Sequence, residues 1–284
     1  MSSDLQGIYA RAKELCAEVG SAESEFQFER GRYNFHLLKS EITTADRIAD
    51  RLGVMAREAS EPSVRCARLL EALRCKALTE FYQAHYSEAR ALLEQMMGLY
   101  NPTHHANHMV QYGVEPAAVA LSYMAWLDSL ADRPELAKAR LEHALDQATA
   151  SAHAFSICYV QCFAASCAQL WGKPQFAAAS ADEAIRLSNL YNFPYWSAWG
   201  RAMRGWVMGL ESLERGVQAI DEARGTYLAT GSTLIAPYFD ALVCHIGRLK
   251  GIEWTASRLE AIRTQTHKTG VQFWTAALQV VYRT

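Results

Sequence analysis

Small side chains recur along the chain at Ala45, Ala89, Ala137, Ala177, Gly216 and Ala256, at steps of 44, 48, 40, 39 and 40 residues. Four residues after them stand Ala49, Leu93, Leu141, Ala181, Ile220 and Glu260, and seven after stand Leu52, Met96, Ala144, Ala184, Ala223 and Arg263. Five of the six frames keep both positions apolar. Residues at those offsets share one face of a 3.6-residue helix, and a small residue at the head of the stripe lets a neighbouring helix come close. The pattern predicts the second helices of a series of helix pairs, with first helices over 22–39, 63–83, 115–131, 153–171, 194–210 and 235–250. Breaks fall at Glu61-Pro62, Asn101-Pro102, Arg133-Pro134, Lys173-Pro174, Thr230-Gly231 and Lys250-Gly251. Proline there suits a first helical turn and glycine a helix end. One connection, 101–114, departs from the period and reads as a special loop.

A lone pair cannot bury such stripes, whereas stacked pairs bury them continuously. The predicted fold is all-α: one domain over 1–284 forming a right-handed α-α superhelix of about six helix pairs, with repeats over 21–268. An unpaired helix is expected at each end, over 1–20 and over 269–284. Bare solenoid ends leave apolar faces, so self-association into a homo-oligomer is expected.

Composition narrows the function classes. Half of the 284 residues are apolar, and 28 Lys and Arg against 30 Asp and Glu leave a formal charge of −2. Such a balance creates no whole-chain field toward nucleic acid or an anionic membrane. No segment has the apolar length of a membrane span, and 7 scattered cysteines, an odd number, read as reduced thiols of a cytoplasmic protein.

The segment from His85 to Met96, closed by Tyr100-Asn101-Pro102, resembles the second helix of a tetratricopeptide repeat. Further motifs span nearly the whole chain: Tyr9-Ala10-Arg11-Ala12, Gly31-Arg32-Tyr33-Asn34, Ser122-Tyr123-Met124-Ala125-Trp126, Phe193-Pro194-Tyr195-Trp196, Arg204-Gly205-Trp206, and Thr269-Gly270 before Phe273-Trp274. In their order and spacing the chain resembles the C-terminal repeat tail of bacterial multidomain regulators that join a class III adenylate or guanylate cyclase, or another effector, to an AAA-type ATPase. Two departures stand out. The family's Asp-Pro-Gly loop is replaced by Gly113-Val114-Glu115-Pro116-Ala117, and its terminal Glu-Leu-Tyr-Arg segment is reduced to Ala277-Leu278 through Tyr282-Arg283. The resemblance implies a regulatory tail in signalling, with neither ATPase nor cyclase in this chain.

No phosphate-cradling glycine loop, dinucleotide fingerprint or glycine-flanked nucleophilic serine is present, so neither an enzyme nor a cofactor is expected. His104, His105 and His108 would need a third carboxylate or thiol to hold a metal, and Cys158, Cys162 and Cys167 read as buried small hydrophobes. Trp196, Trp199 and Trp206 read chiefly as filler between helices. Counting back from the small-residue anchors puts Arg30, Asn34, Arg74, Trp126, Tyr159, Arg201, Tyr238 and Arg248 on the concave wall. Arg30 and Asn34 resemble half of the clamp by which some tetratricopeptide domains hold a peptide's terminal carboxylate, although Cys75 replaces the next asparagine. Arginine forks favour acidic or carboxylate-bearing partners; the competing reading pairs these arginines with Glu71. The expected function is a non-catalytic scaffold binding a peptide or partner domain in a concave groove. A small-molecule or peptide sensor controlling an effector is the alternative, and a metal-dependent enzyme rests on the histidines alone.

Overall fold

The computed structural model describes residues 20–102, 108–252 and 255–274, together with Gly7 and Arg11. Among them are thirteen helices and no strand. Twelve form six pairs: α1 (Ala22–Leu38) and α2 (Ile42–Glu58), α3 (Pro62–Tyr82) and α4 (Tyr86–Leu99), α6 (Pro116–Leu130) and α7 (Pro134–Ala150), α8 (Ala154–Leu170) and α9 (Pro174–Tyr191), α10 (Pro194–Glu211) and α11 (Leu213–Ala229), α12 (Ala236–Leu249) and α13 (Thr255–Thr269). The short α5 (His108–Tyr112) lies in the long connection. Each paired helix packs on the next paired helix along the chain and each first helix on the first helix of the next pair, which makes an α-α solenoid. The predicted unpaired helix over 1–20 lies outside the described residues apart from Gly7, Arg11 and Gly20; of the one over 269–284, residues 269–274 are described.

The turns explain the even period. Within five pairs the residue five before the anchor takes positive φ: Ser40, Ala84, Asp132, Gly172 and Gly251. The following N–H reaches back to a carbonyl in the last helical turn, as in Glu41 N to His36 O (2.9 Å), His85 N to Glu80 O (2.9 Å) and Lys173 N to Ala168 O (2.9 Å). This left-handed closure satisfies orphan carbonyls and reverses the chain within three residues. Prolines at 134 and 174 then open the next helix, as Pro62 does between pairs, where a missing N–H costs nothing.

Second helices bury one stripe, and the anchors Ala45, Ala89, Ala137 and Ala177 are wholly inaccessible. Only the last frame is displaced: α13 buries Ile262 and Thr266 beside the partly buried Leu259 and exposes Glu260 and Arg263, one residue ahead of the expected register. The tightest approach is at Gly216, where an added Cβ would lie 2.3 Å from Gly209 Cα and 2.6 Å from its nitrogen. Backbone cannot yield as a side-chain tip does. In urea denaturation Gly216→Ala is therefore expected to cost about 2 kcal/mol or more by forcing α10 and α11 apart, whereas Gly225→Ala, with open space around it, should be neutral or slightly stabilising.

First helices are buried on more than one face. In α6 every residue from Pro116 to Ser129 is buried, which requires protein on both sides. Outside lie the second helices; inside lies the far end of the chain. Thr233 and Leu234, ahead of α12, donate to the carbonyl of Leu38 at the end of α1 (2.8 and 3.1 Å), and Ser40 Oγ meets Thr233 Oγ1 at 3.0 Å. Phe273 stacks on Phe81 of α3 (4.4 Å between centroids, 29°) and sits edge-on to Trp126 of α6 (5.2 Å). The superhelix has closed on itself.

One buried network joins α8, α10 and α12 across this interior. His245 Nδ1 meets Trp206 Nε1–H (3.2 Å) and Gln169 Nε2 (3.0 Å), while Gln169 Oε1 accepts from Tyr238 Oη (3.0 Å). Burial and the charge of Arg248 push the His245 imidazole down to about 4. The ordinary histidine value is about 6.5, so the unfolded chain takes up this proton first and stability falls as pH drops from about 6.5 to 4, by up to about 3 kcal/mol. Denaturation at pH 7 and pH 4.5 should show His245→Gln losing less stability on acidification than the unsubstituted chain.

Candidate functional site

Closure brings these helices around a partly open cavity of about 580 Å³ in the aromatic interior. Its walls come from five first helices, the short α5 and three connections. α8 contributes Phe155, Tyr159 and Phe163, one helical turn apart, and α10 contributes Tyr195, Trp196 and Trp199. These rings support one another: Tyr159 stacks on Phe163 (4.7 Å, 10°), Trp196 stacks on Trp199 (5.6 Å, 20°), and Tyr159 meets Trp196 edge-on (4.9 Å). Tyr82, Tyr112, Tyr123 and Phe193 extend the wall. Such contacts fix ring orientation before anything binds. Burial raises the phenols of Tyr82, Tyr123, Tyr159 and Tyr195 well above their ordinary value, so all four stay neutral and the aromatic wall carries no negative charge.

The opposite wall is charged. Arg30 and Asn34, one turn apart on α1, and Arg74 on α3 line the cavity. Both guanidiniums are held by Glu71, which is fully buried: Arg30 Nε donates at 2.5 Å, Arg74 Nη2 at 2.8 Å and Arg74 Nε at 3.1 Å. His108 Nε2 of α5 meets the other carboxylate oxygen at 2.7 Å. Burial alone would raise the Glu71 carboxyl, but the Arg30 charge and the His108 hydrogen bond more than offset it and hold the group below its ordinary value. Two cations therefore share one anion, and Arg30 Nη1, Arg30 Nη2 and Arg74 Nη1 make no hydrogen bond among the described residues.

Of the residues counted onto the concave wall, Arg30, Asn34, Arg74 and Tyr159 line this cavity. Trp126 and Tyr238 do face inward, but the wall is filled there: they are 1% and 2% exposed and pack on each other at 5.7 Å. Arg201 and Arg248 are exposed and lie away from the cavity. An open groove along the whole inner face is thus not what the fold presents. His104 and His105 lie outside the described residues, and His108 is engaged by Glu71. Cys158 and Cys162 are buried free thiols, with Cys158 Sγ 3.1 Å from Ser188 Oγ. The count missed Phe155, Phe193 and Tyr195, whose only signal was aromatic density at the starts of α8 and α10.

No helix among the described residues is long and apolar enough to cross a membrane. Compared with known proteins, the chain matches no protein-family model and no curated protein sequence.

Proposed function

We propose that this chain is a non-catalytic binding domain that receives a small molecule in the aromatic cavity and acts as a sensor. The observation that carries this reading is the cavity itself: about 580 Å³, walled by mutually braced rings and a few convergent polar groups. Pockets for small ligands have this size and this mixture of apolar wall and sparse polar contacts. A peptide laid along the inner face is less well supported, because Trp126, Tyr238, Phe273 and Trp274 occupy that space.

The cavity also sits where occupancy would be felt elsewhere. Its walls join α1 and α3 at one end of the stack to α8 and α10 beyond the middle, and Thr230, Ser232 and Leu234 come from the segment that seals the ring. A ligand touching all of these favours the closed arrangement over any opened one by its difference in affinity. The resemblance to the repeat tails of cyclase and ATPase regulators supports an effector or partner protein as the recipient of that change.

Native mass spectrometry of the freshly purified chain, followed by thermal-shift screening of a metabolite collection, tests the reading. A mass increment lost on denaturation, or a dose-dependent rise in Tm abolished by Trp196→Ala, is the expected result. A chain that carries no increment and responds to no compound would overturn it, and a retained peptide would restore the scaffold reading.

A further inference from the structure

We infer that the ligand of this cavity is a monoanion, an apolar or aromatic body bearing one carboxylate, with the carboxylate seated between Arg30 and Arg74. The inference rests on the reading of the cavity as a small-molecule site and adds its chemistry. The first support is charge. Arg30 and Arg74 are 5% and 4% exposed and share the single carboxylate of Glu71, so the buried cluster carries an unbalanced positive charge. A buried charge without a counter-charge is costly, and an incoming anion removes that cost where a neutral group does not. The second support is geometry. Glu71 engages both guanidiniums through Nε, which holds the two planes in place while leaving the Nη groups of Arg30 and one of Arg74 without a hydrogen-bond partner among the described residues. Guanidinium forks prepositioned in this way accept a carboxylate with two bonds and little further loss of side-chain freedom. Asn34, one turn beyond Arg30, adds an amide on the same wall.

The remaining wall selects the body. Rings of Tyr159, Trp196 and Trp199 present faces and edges, and beyond Arg30 and Arg74 no charged side chain lines the cavity to pair with a second charge. One anion-accepting site opposite an aromatic box favours a planar acid over a polyanion or a sugar. A cation would meet two like charges.

The test uses the unmodified full chain and three isosteric probes: 2-naphthoate, 2-naphthamide and 2-naphthylmethylammonium, compared by isothermal titration at pH 7.5. The acid is expected to bind at least about tenfold more tightly than the amide, and the cation most weakly, as a charge-assisted bidentate contact requires. Arg74→Gln should remove most of that preference while leaving the amide's affinity within about threefold, and Arg74→Lys should restore only part of it. The unmodified-chain ratio does not depend on any variant folding. Equal or tighter binding of the amide would overturn the anionic assignment while leaving the cavity as a small-molecule site. Failure of all three probes to bind at millimolar concentration would overturn both.

Discussion

Glu71→Ala is expected to lower the unfolding free energy by about 3–5 kcal/mol, because it strands two buried guanidiniums that now share one counter-charge. The same change removes the partner of His108 Nε2 and so loosens α5, which contributes Tyr112 to the cavity wall. Glu71→Gln keeps the shape and one acceptor oxygen and should fall between the two. Urea denaturation measures the difference, with the midpoint moving at nearly constant slope if the folded state is retained. By contrast, Glu183→Ala removes an exposed pairing with Arg186 on α9 and should change stability by no more than a few tenths of a kcal/mol. Acid adds a check of sign. The folded Glu71 carboxyl lies below its ordinary value, so its contribution is present above the unfolded carboxyl range and is lost as pH falls through the folded value.

Trp274→Ala should be comparably severe, at about 3–5 kcal/mol, for a different reason. Trp274 is 1% exposed, stacks on Tyr238 (5.6 Å, 15°) and donates Nε1–H to the carbonyl of Leu234 at 2.9 Å. It touches residues from four parts of the stack at once, including Tyr82 and Trp126. Removing it leaves a void at the centre of the ring and an unpaired carbonyl in the segment that seals against α1. Besides the lost stability, hydrogen exchange should accelerate at Thr233 and Leu234, whose amides bond to Leu38, more than in the middle of α6. Trp171→Ala, a half-buried ring on an outer turn, should cost less and leave those two amides protected.

Sequence periodicity conveys the pairs but not the ring. Anchors and the flanking breaks place the ends of the first helices to within about one residue and mark a second helix after each, because helix-pair packing is local and each small side chain marks its own crossing. Closure is a sum of small rotations over six pairs, and no single repeat encodes it. Phe273 and Trp274 therefore read as the start of a spare helix, although they fill the hole the ring would otherwise have. Trp126 and Tyr238 were assigned to the correct side of their helices, but what faces them is the opposite wall of the same chain. Arg30 and Arg74 were legible as inward-facing, and Glu71 as their counter-charge; that one carboxylate serves both, with His108 added from the long loop, depends on the fold. In the last frame Ala256 is the right kind of residue, yet the buried stripe of α13 runs through Ile262 and Thr266.

Closure of the helical stack is tested most directly by disulfide trapping between the end of α1 and the sealing segment. Ser40 Oγ and Thr233 Oγ1 lie 3.0 Å apart, so cysteines at both positions fall within bonding reach. Mild oxidation of the Ser40→Cys, Thr233→Cys chain is expected to give a cross-linked peptide pair in high yield, with unchanged or higher Tm. If both thiols instead stay free and react fully with alkylating reagent in the folded protein, the stack is an open arc and the cavity walled from both of its ends does not exist.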